Sequence, residues 1–273
     1  MKVKKSVQIV FKYIFSFFLV VLISFFLPRL IPGNPLYALA GEGSGYSTEV
    51  PLASLELFEE YYSPDLPLSQ QFTRYLAHLS RFDLGYSFFY KTPVIDRILG
   101  AARWTLLLSL TALALATVLG TLLGVFMGLR HKNRGALLMP PLLAVQAIPT
   151  FLLAAVAQIV LAYRLQLFPA TGAVTPGMLP GQPGYAVDVF LHMLLPLIIL
   201  TVSEIPSIAI FAFNSTLRVK QAPFVAFAHY LNISPAQIKL KFIIKNIIPD
   251  LMGKLNIQAI MCIMGSMFVE AVF

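Results

Sequence analysis

Long apolar runs constrain the fold of this chain more than any other feature of its sequence. They cover residues 7–27, 104–129, 137–161, 189–213 and 247–273, and few charged residues interrupt them. A helix rises about 1.5 Å per residue, so about 20 apolar residues cross the hydrocarbon core of a bilayer. We therefore predict an all-α polytopic membrane protein with five transmembrane helices.

Composition separates this chain from soluble proteins. Of its 273 residues, 58% are hydrophobic and 12% are charged, roughly half the charged fraction of a soluble domain. The net charge of +8 does not indicate nucleic-acid binding, because the basic residues are spread over short loops and form no basic face with interleaved aromatics. We expect membrane lipid, and no nucleic acid, among the partners of this protein.

The basic residues between the apolar runs predict its orientation. Twelve Lys and Arg residues fall in segments 1–12, 130–134 and 214–246, whereas six fall in segments 36–103 and 164–188. Cytoplasmic loops carry the excess of basic residues, so the first three segments are predicted inside. The N-terminus is then cytoplasmic, and the last span ends outside.

Three regions follow from this topology. Residues 1–31 hold a basic segment and the first span, residues 32–103 an external loop, and residues 104–273 the membrane core. Short helices are expected in the external loop near residues 52–61 and 69–79. A cleaved signal peptide is the weaker alternative for the first region, because its apolar run is long and no small-x-small cleavage site follows it.

Three glycines recur at every fourth position in the second apolar run, at Gly120, Gly124 and Gly128. They share one helix face, where small residues let another helix approach closely. We interpret them as tight packing rather than as evidence for a pore.

Prolines and one acid stand out in the third and fourth runs. Pro140, Pro141 and Pro149 predict a bent third helix, either lining a pathway or bent by packing alone. Burying the Glu204 carboxylate in a membrane costs free energy, so Glu204 is expected to contact substrate, pair with a buried base or lie near an interface.

A basic elbow joins the fourth and fifth runs at residues 214–246, and it contains no acid. Its first part predicts a short amphipathic helix, which either lies on the membrane surface or enters a groove of another protein. Ser234 and Pro235 can cap and begin the next helix. The apolar stripe of the short helix is Phe224, Phe227, Ala228 and Leu231.

Motifs for catalysis and cofactor binding are absent from the sequence. It contains no G-x-x-x-x-G-K-[ST], no H-E-x-x-H and no G-x-S-x-G. Cys262 is the only cysteine, and the four histidines are scattered along the chain. We therefore expect no catalytic residue, no cofactor and no metal site. An intramembrane enzyme is a distant alternative.

Short motifs in a fixed order make the chain resemble a known family. The chain resembles the inner-membrane permease subunits of binding-protein-dependent ABC importers, in the dipeptide/oligopeptide/nickel branch. The motifs are P-G-N-P at 32–35, D-L-G-Y-S at 83–87, T-L at 105–106, I-P-T-F at 148–151, F-P-A-T-G at 168–172, H-M-L-L-P at 192–196, the coupling loop from F-V-A-F-A at 224–228 to N-I-I-P at 246–249, and V-E-A-V-F at 269–273.

The resemblance implies a function and a set of partners. The chain would be a permease subunit for di- or oligopeptides in a bacterial inner membrane, with nickel or another small solute as the alternative. Its partners would be two ABC ATPase subunits, which hydrolyse the ATP, a second permease subunit, and a periplasmic or lipid-anchored substrate-binding protein. An alternative function of a different class is a membrane anchor that recruits a cytoplasmic partner without transport.

The resemblance also implies which residues couple ATP hydrolysis to transport. Phe224, Val225, Phe227 and Ala228 would enter a groove of the ATPase. Lys239, Lys241 and Lys245 would orient the loop at the membrane surface. The implied coupling helix and its turn comprise Phe224, Val225, Ala226, Phe227, Ala228, Leu231 and Asn232.

The sequence departs from the family pattern at four places. Asn232 stands where a glycine usually forms the turn, and asparagine is the next most tolerant residue of a left-handed backbone. Pro223 stands in place of an acid, and Phe213 in place of an arginine. Family members continue past V-E-x-V-F, so we expect this chain to be either a fragment or a shortened subunit completed by a partner.

Overall fold

A computed structural model describes residues 2–30, 52–87, 89–130 and 134–273 of the chain. The P-G-N-P turn predicted at 32–35 and most of the basic loop at 130–134 lie outside these residues. The chain forms two compact units, Met1–Ala101 and Ala102–Phe273. The three-region division predicted above stays a prediction.

The first unit contains helices and one small pair of strands. In helix α1 the segment Gln8–Leu30 is largely exposed, and it is long and apolar enough to cross a membrane. The two short helices predicted in the loop are present, with ends shifted by at most one residue. The elements are α1 (Lys2–Leu30), α2 (Leu52–Tyr62), α3 (Leu68–Ser80), β1 (Tyr86–Ser87) and β2 (Thr92–Pro93).

Aromatic packing holds α3 against the end of α1. Phe25 is 1% exposed, and its ring centroid lies 5.0 Å from that of Phe72 and 5.6 Å from that of Tyr75. The Arg29 guanidinium lies over the Phe25 ring and donates a 2.8 Å hydrogen bond from Nε to Gln71 Oε1. The apolar helix α1 and helix α3 are thus joined by one aromatic cluster.

Asp83, the first residue of the D-L-G-Y-S motif, is the shared acceptor of the loop that follows α3. Its carboxylate accepts hydrogen bonds from the Tyr61 hydroxyl at 3.2 Å and the Gly85 N–H at 3.0 Å, and lies 2.7 Å from His78 Nδ1. Gly85 has φ +86°, a conformation that only glycine adopts without strain. The motif therefore closes this loop and leads into β1.

The second unit is a bundle of long helices with short elements at their ends. Helices long and apolar enough to cross a membrane are Val94–Leu129, Tyr185–Lys220 and Pro235–Val272, and one bent pair adds another span. Together with α1 these make four or five spans, which confirms the predicted fold class. The elements are α4 (Val94–Leu129), a 3-10 turn (Arg134–Leu138), α5 (Met139–Ala147), α6 (Thr150–Ala157), a π-helical turn (Gln158–Arg164), α7 (Tyr185–Lys220), α8 (Pro223–Tyr230), α9 (Pro235–Gln237), a second π-helical turn (Ile238–Ile244) and α10 (Lys245–Val272).

The third span is broken rather than bent. Segments Gly135–Ala147 and Thr150–Arg164 meet at an angle of 85° across Ile148 and Pro149. Ile148 is extended (φ −80°, ψ 122°), because the ring of a following proline disfavours the helical conformation. The predicted kink is confirmed, and whether it lines a pathway stays a prediction.

The glycine stripe packs α4 directly on α7. A Cβ atom added at Gly124 would lie 2.3 Å from the Ala209 carbonyl oxygen and 2.7 Å from the Ala212 Cβ. At Gly128 it would lie 2.6 Å from the Thr216 side chain. This close approach confirms the interpretation of the glycines as a packing surface.

The last span begins earlier than predicted. The sequence predicts a span at 247–273, but the helical backbone is continuous from Pro235 to Val272. No Gly or Pro interrupts residues 236–246, so nothing in the chain ends the helix there. The basic residues Lys239, Lys241 and Lys245 lie exposed on this extension.

Candidate coupling site at one end of the helices

Helix α8 is defined by residues that start and stop a helix. Pro223 occupies its first turn after an extended Ala222 (φ −70°, ψ 143°). The helix ends at Tyr230, and Asn232 then adopts a left-handed conformation with φ +51°. Asparagine tolerates that backbone, so the turn expected at Asn232 is present; that Asn232 replaces a family glycine stays a prediction.

One face of α8 is buried in the protein's own core. Val225 and Ala228 are each 1% exposed. They belong to a cluster with residues from the ends of α4 and α7, the second π-helical turn and the start of α10, namely Val125, Val219, Ile238, Ile243 and Ile247. The inner face thus attaches the short helix to the long helices of the second unit.

The opposite face of α8 is apolar and exposed. We call Phe224, Phe227, Tyr230 and Leu231 the outer patch; their exposed fractions are 43%, 64%, 85% and 59%. Ala226 and Asn232 are also exposed beside it.

The structure therefore separates residues that the sequence had grouped. Ala228 lies on the inner face and not on the stripe with Phe227, and Val225 lies beneath the patch. Tyr230 was missed, although its position three residues after Phe227 places it on the same face.

Local hydrogen bonds hold the turn after α8. The Ile233 N–H donates to the Ala228 carbonyl at 3.2 Å, and His229 Nδ1 lies 2.8 Å from the Val225 carbonyl oxygen. The Ser234 hydroxyl accepts a 3.4 Å bond from the Gln237 N–H, with Pro235 in the first turn of α9. The predicted Ser-Pro start of the following helix is thus confirmed.

An ion pair connects the two helices that flank the elbow. The Arg218 guanidinium at the end of α7 donates to the Asp250 carboxylate near the start of α10. Both side chains are partly exposed, so the pair contributes less than about 1 kcal/mol to stability. The ion pair connects the two helices on either side of α8.

Glu204 has a partner that the sequence did not suggest. It is buried in α7, and its carboxylate accepts a hydrogen bond from the Gln258 amide of α10. The Ser207 hydroxyl donates to Gln258 Oε1 at 3.1 Å. Glu204 therefore accepts a hydrogen bond from the amide of a residue 54 positions away in the chain. An amide donor was not among the three environments predicted for Glu204, which were substrate, a buried base and an interface.

Comparison with known proteins agrees with these features. Residues 120–273, more than half of the chain, match the family described as binding-protein-dependent transport system inner membrane component. The oligopeptide transport system permease protein OppB of Haemophilus influenzae is 30% identical over 94% of this chain and 78% of its own length.

Two further relatives carry similar names. The dipeptide transport system permease protein DppB of Lactococcus lactis is 24% identical over 94% of this chain and 78% of its own length. The di/tripeptide transport system permease protein DppB of Pseudomonas aeruginosa is 26% identical over 94% of this chain and 80% of its own length. The resemblance stated from the motifs is confirmed, and the chain belongs to the family of binding-protein-dependent transport system inner membrane components.

Proposed function

We propose that this protein is a permease subunit of an ATP-driven importer of di- or oligopeptides and that α8 couples it to an ATPase. The exposed outer patch on a helix whose other face is fixed in the core is the observation that carries the proposal. Exposed apolar aromatics of this kind are typical anchors of protein interfaces. The names of the relatives favour peptides over nickel as the cargo.

The inner face explains how movement of an ATPase could reach the membrane. Val225 and Ala228 contact a cluster to which α4, α7 and α10 all contribute. A force on the outer patch therefore acts on three long helices together, because close-packed side chains transmit displacement. Closure of the ATPases would shift these helices between inward and outward access.

The proposal assigns the remaining components to other chains. Two ATPase subunits hydrolyse ATP, a second permease subunit completes the pathway, and an external binding protein delivers the peptide. The chain is placed in a bacterial inner membrane with its N-terminus in the cytoplasm, since the basic segments favour that orientation.

The test is a charge on the outer patch. Phe227→Asp should lower peptide uptake by about tenfold or more, the effect of losing a central interface aromatic, while the ATPases still hydrolyse ATP. The variant should insert normally, because Phe227 is exposed and exposed substitutions change stability by about 0.5 kcal/mol or less. Uptake of labelled peptide, ATP hydrolysis and membrane content are measured on the same vesicles.

Two comparison variants make this test specific. Gln237→Asp adds the same charge at an exposed position outside the patch and should leave uptake unchanged. Val225→Asn should instead destabilise the protein by about 1–3 kcal/mol, because it buries an unpartnered polar group beneath the patch. Unaltered uptake by Phe227→Asp contradicts the assignment of α8.

A membrane anchor without transport is the second candidate, since the outer patch could equally hold another cytoplasmic protein. Purification of the tagged chain from native membranes separates the two. Co-purified P-loop ATPases support the importer, whereas a partner lacking nucleotide-binding motifs supports the anchor.

A further inference from the structure

The ion pair between Arg218 and Asp250 uses the only acid of the elbow and its flanks. Asp250 is the only Asp or Glu between residues 205 and 269, whereas six Lys or Arg residues lie in that stretch. Lys245 and Lys254 are close to Asp250 in its own helix, yet Asp250 pairs with Arg218 of α7. The acid therefore joins residues 32 positions apart in the chain, rather than neighbours within one helix.

The pair lies between two clusters of buried side chains. Val219, next to Arg218, belongs to the cluster that holds the inner face of α8. Leu251, next to Asp250, belongs to a second cluster, to which α4 and α7 also contribute. The pair thus connects α7 and α10 at the boundary between the cluster attached to α8 and the next cluster along these helices.

Apolar contacts between α7 and α10 resist separation of the two helices more than sliding of one along the other. The hydrophobic effect is non-directional, so a small axial shift that keeps the same area buried costs little free energy. A hydrogen bond between a guanidinium and a carboxylate has a preferred distance and direction, and it therefore favours one axial position. Fixing the register of packed helices is an established use of polar pairs.

We propose that Arg218 and Asp250 fix the register of α7 on α10, so that displacement of α8 by an ATPase moves both helices together. The inference rests on the proposed coupling function of α8. Arg218 and Asp250 are then positioning residues, because they act through the helices that carry α8 and contact neither ATP nor peptide. Without the pair, α8 moves while one of the two helices stays behind, and ATP is hydrolysed without import.

Exchange of the two charges tests the pair in the assembled importer. Complexes purified through a tag on this chain are reconstituted in vesicles, and uptake of a radiolabelled mixture of di- and oligopeptides is measured together with ATP hydrolysis. Arg218→Asp and Asp250→Arg each place like charges opposite each other. Each should lower the peptide imported per ATP hydrolysed by about threefold or more, the effect of losing an exposed ion pair. The double variant restores opposite charges and should recover this ratio to within about a factor of two, because the two residues are in contact.

Lys220→Asp is the matched control for Arg218→Asp. Lys220 is exposed, lies in the same helix and is outside the pair, so this variant makes the same change of charge and should leave the ratio unchanged. The midpoint of thermal unfolding separates coupling from stability. All variants should unfold within a few degrees of the unsubstituted protein, since exposed ion pairs contribute little to stability. A fall in the ratio shared by Lys220→Asp overturns the assignment to the pair.

A distance measurement tests the register without ATPase or peptide. In a Cys262→Ser background, nitroxide labels are attached at Asn214→Cys and Asn246→Cys, which are exposed and lie four residues before Arg218 and Asp250. In the purified full-length protein, the distribution of distances between the labels should broaden when Arg218→Asp is added. It should narrow again in the double variant, which restores the pair.

The outcomes separate this inference from the proposed function. Single variants with normal coupling or with unchanged label distances overturn the inference, and so does a double variant that stays uncoupled. If the unsubstituted complex imports peptide normally, these results leave the transport function intact. If that complex imports no peptide, the proposed function fails together with the coupling role, and the label distances still decide whether the pair fixes the register.

Discussion

At the scale of single residues, the polar groups of this chain are informative because each must find a partner. The Asp83 carboxylate lies within hydrogen-bond distance of the Tyr61 hydroxyl, His78 Nδ1 and the Gly85 N–H. Partial burial by itself would raise the pKa of Asp83, but these hydrogen bonds outweigh it and hold the pKa below its ordinary value. Burial and the nearby Asp83 charge raise the pKa of Tyr61.

The lowered pKa of Asp83 predicts acid sensitivity of the loop after α3. A group with a depressed folded-state pKa stabilises the fold above its ordinary pKa, about 3.9, and this stabilisation is lost as the pH falls through the folded value. Asp83→Asn should therefore cost on the order of 1 kcal/mol at neutral pH and flatten the acid dependence below about pH 4. Hydrogen exchange of residues 78–87, corrected for intrinsic rates, measures both effects.

Asp65→Asn is the matched control for this prediction, because Asp65 is exposed and in the same unit. Its hydrogen-exchange profile should follow that of the unsubstituted protein at every pH. An Asp83→Asn protein with unchanged protection at neutral pH would show that the hydrogen bonds of Asp83 do not hold this loop.

At the scale of elements, α4 is held on α7 by contact of small residues. Gly120, Gly124 and Gly128 lie against α7, and the closest approach is at Gly124. Lipid tails are as apolar as leucine, so helix association inside a membrane depends on close packing. The glycine repeat at every fourth position, which allows this approach, is therefore sensitive to a single added methyl group.

Gly124→Ala should separate α4 from α7. The added Cβ would lie 2.3 Å from a backbone oxygen, which cannot move aside as a flexible side chain would. Overpacking of this kind costs about 1–3 kcal/mol, so the midpoint of thermal unfolding in detergent should fall by several degrees.

Gly253→Ala tests whether the effect is specific to packing. Gly253 lies in α10, and an added Cβ there meets nothing within 4 Å. This variant should be as stable as the unsubstituted protein or more so, since alanine favours the helix over glycine by up to about 1 kcal/mol. Equal stability of the two variants would contradict the close contact at Gly124.

At the scale of the whole molecule, the second unit has two chemically distinct ends. The outer patch and the exposed lysines of the elbow lie at one end, and a cavity with Glu270 in its wall lies at the other. The loop before α7 is tied to the end of α10, because the Gly172 N–H donates to the Phe273 carbonyl at 2.7 Å. Gln158 Nε2 also donates to the Ala170 and Val272 carbonyls.

The proposed orientation predicts which end reacts from each side of the membrane. In a Cys262→Ser background, which removes the only native thiol, a Thr171→Cys protein should react with an impermeant maleimide on intact spheroplasts. A Gln237→Cys protein should react fully in inverted vesicles and at less than about a tenth of that level on spheroplasts, because a charged reagent does not cross the bilayer core. The reverse pattern would invert the assigned topology.

The apolar runs that form the spans, the glycine packing face, a bend near Pro149 and the turn at Asn232 were predictable from the sequence. Each depends on a short-range property: the length of an apolar run, the spacing of small residues, the missing N–H of proline, or the tolerance of asparagine for a left-handed backbone. Such properties act between residues close in the chain. These features can therefore be predicted from the sequence without the tertiary structure.

Only the tertiary structure decided which side chains of α8 face the core, which donor Glu204 finds, and where Glu270 lies. Val225 and Phe227 are both apolar, so hydrophobicity does not distinguish the buried residue from the exposed one. Glu204 and Gln258 are 54 residues apart, and packing of α7 on α10 brings them together. The cavity around Glu270 likewise exists only because the ends of several helices and a loop meet there.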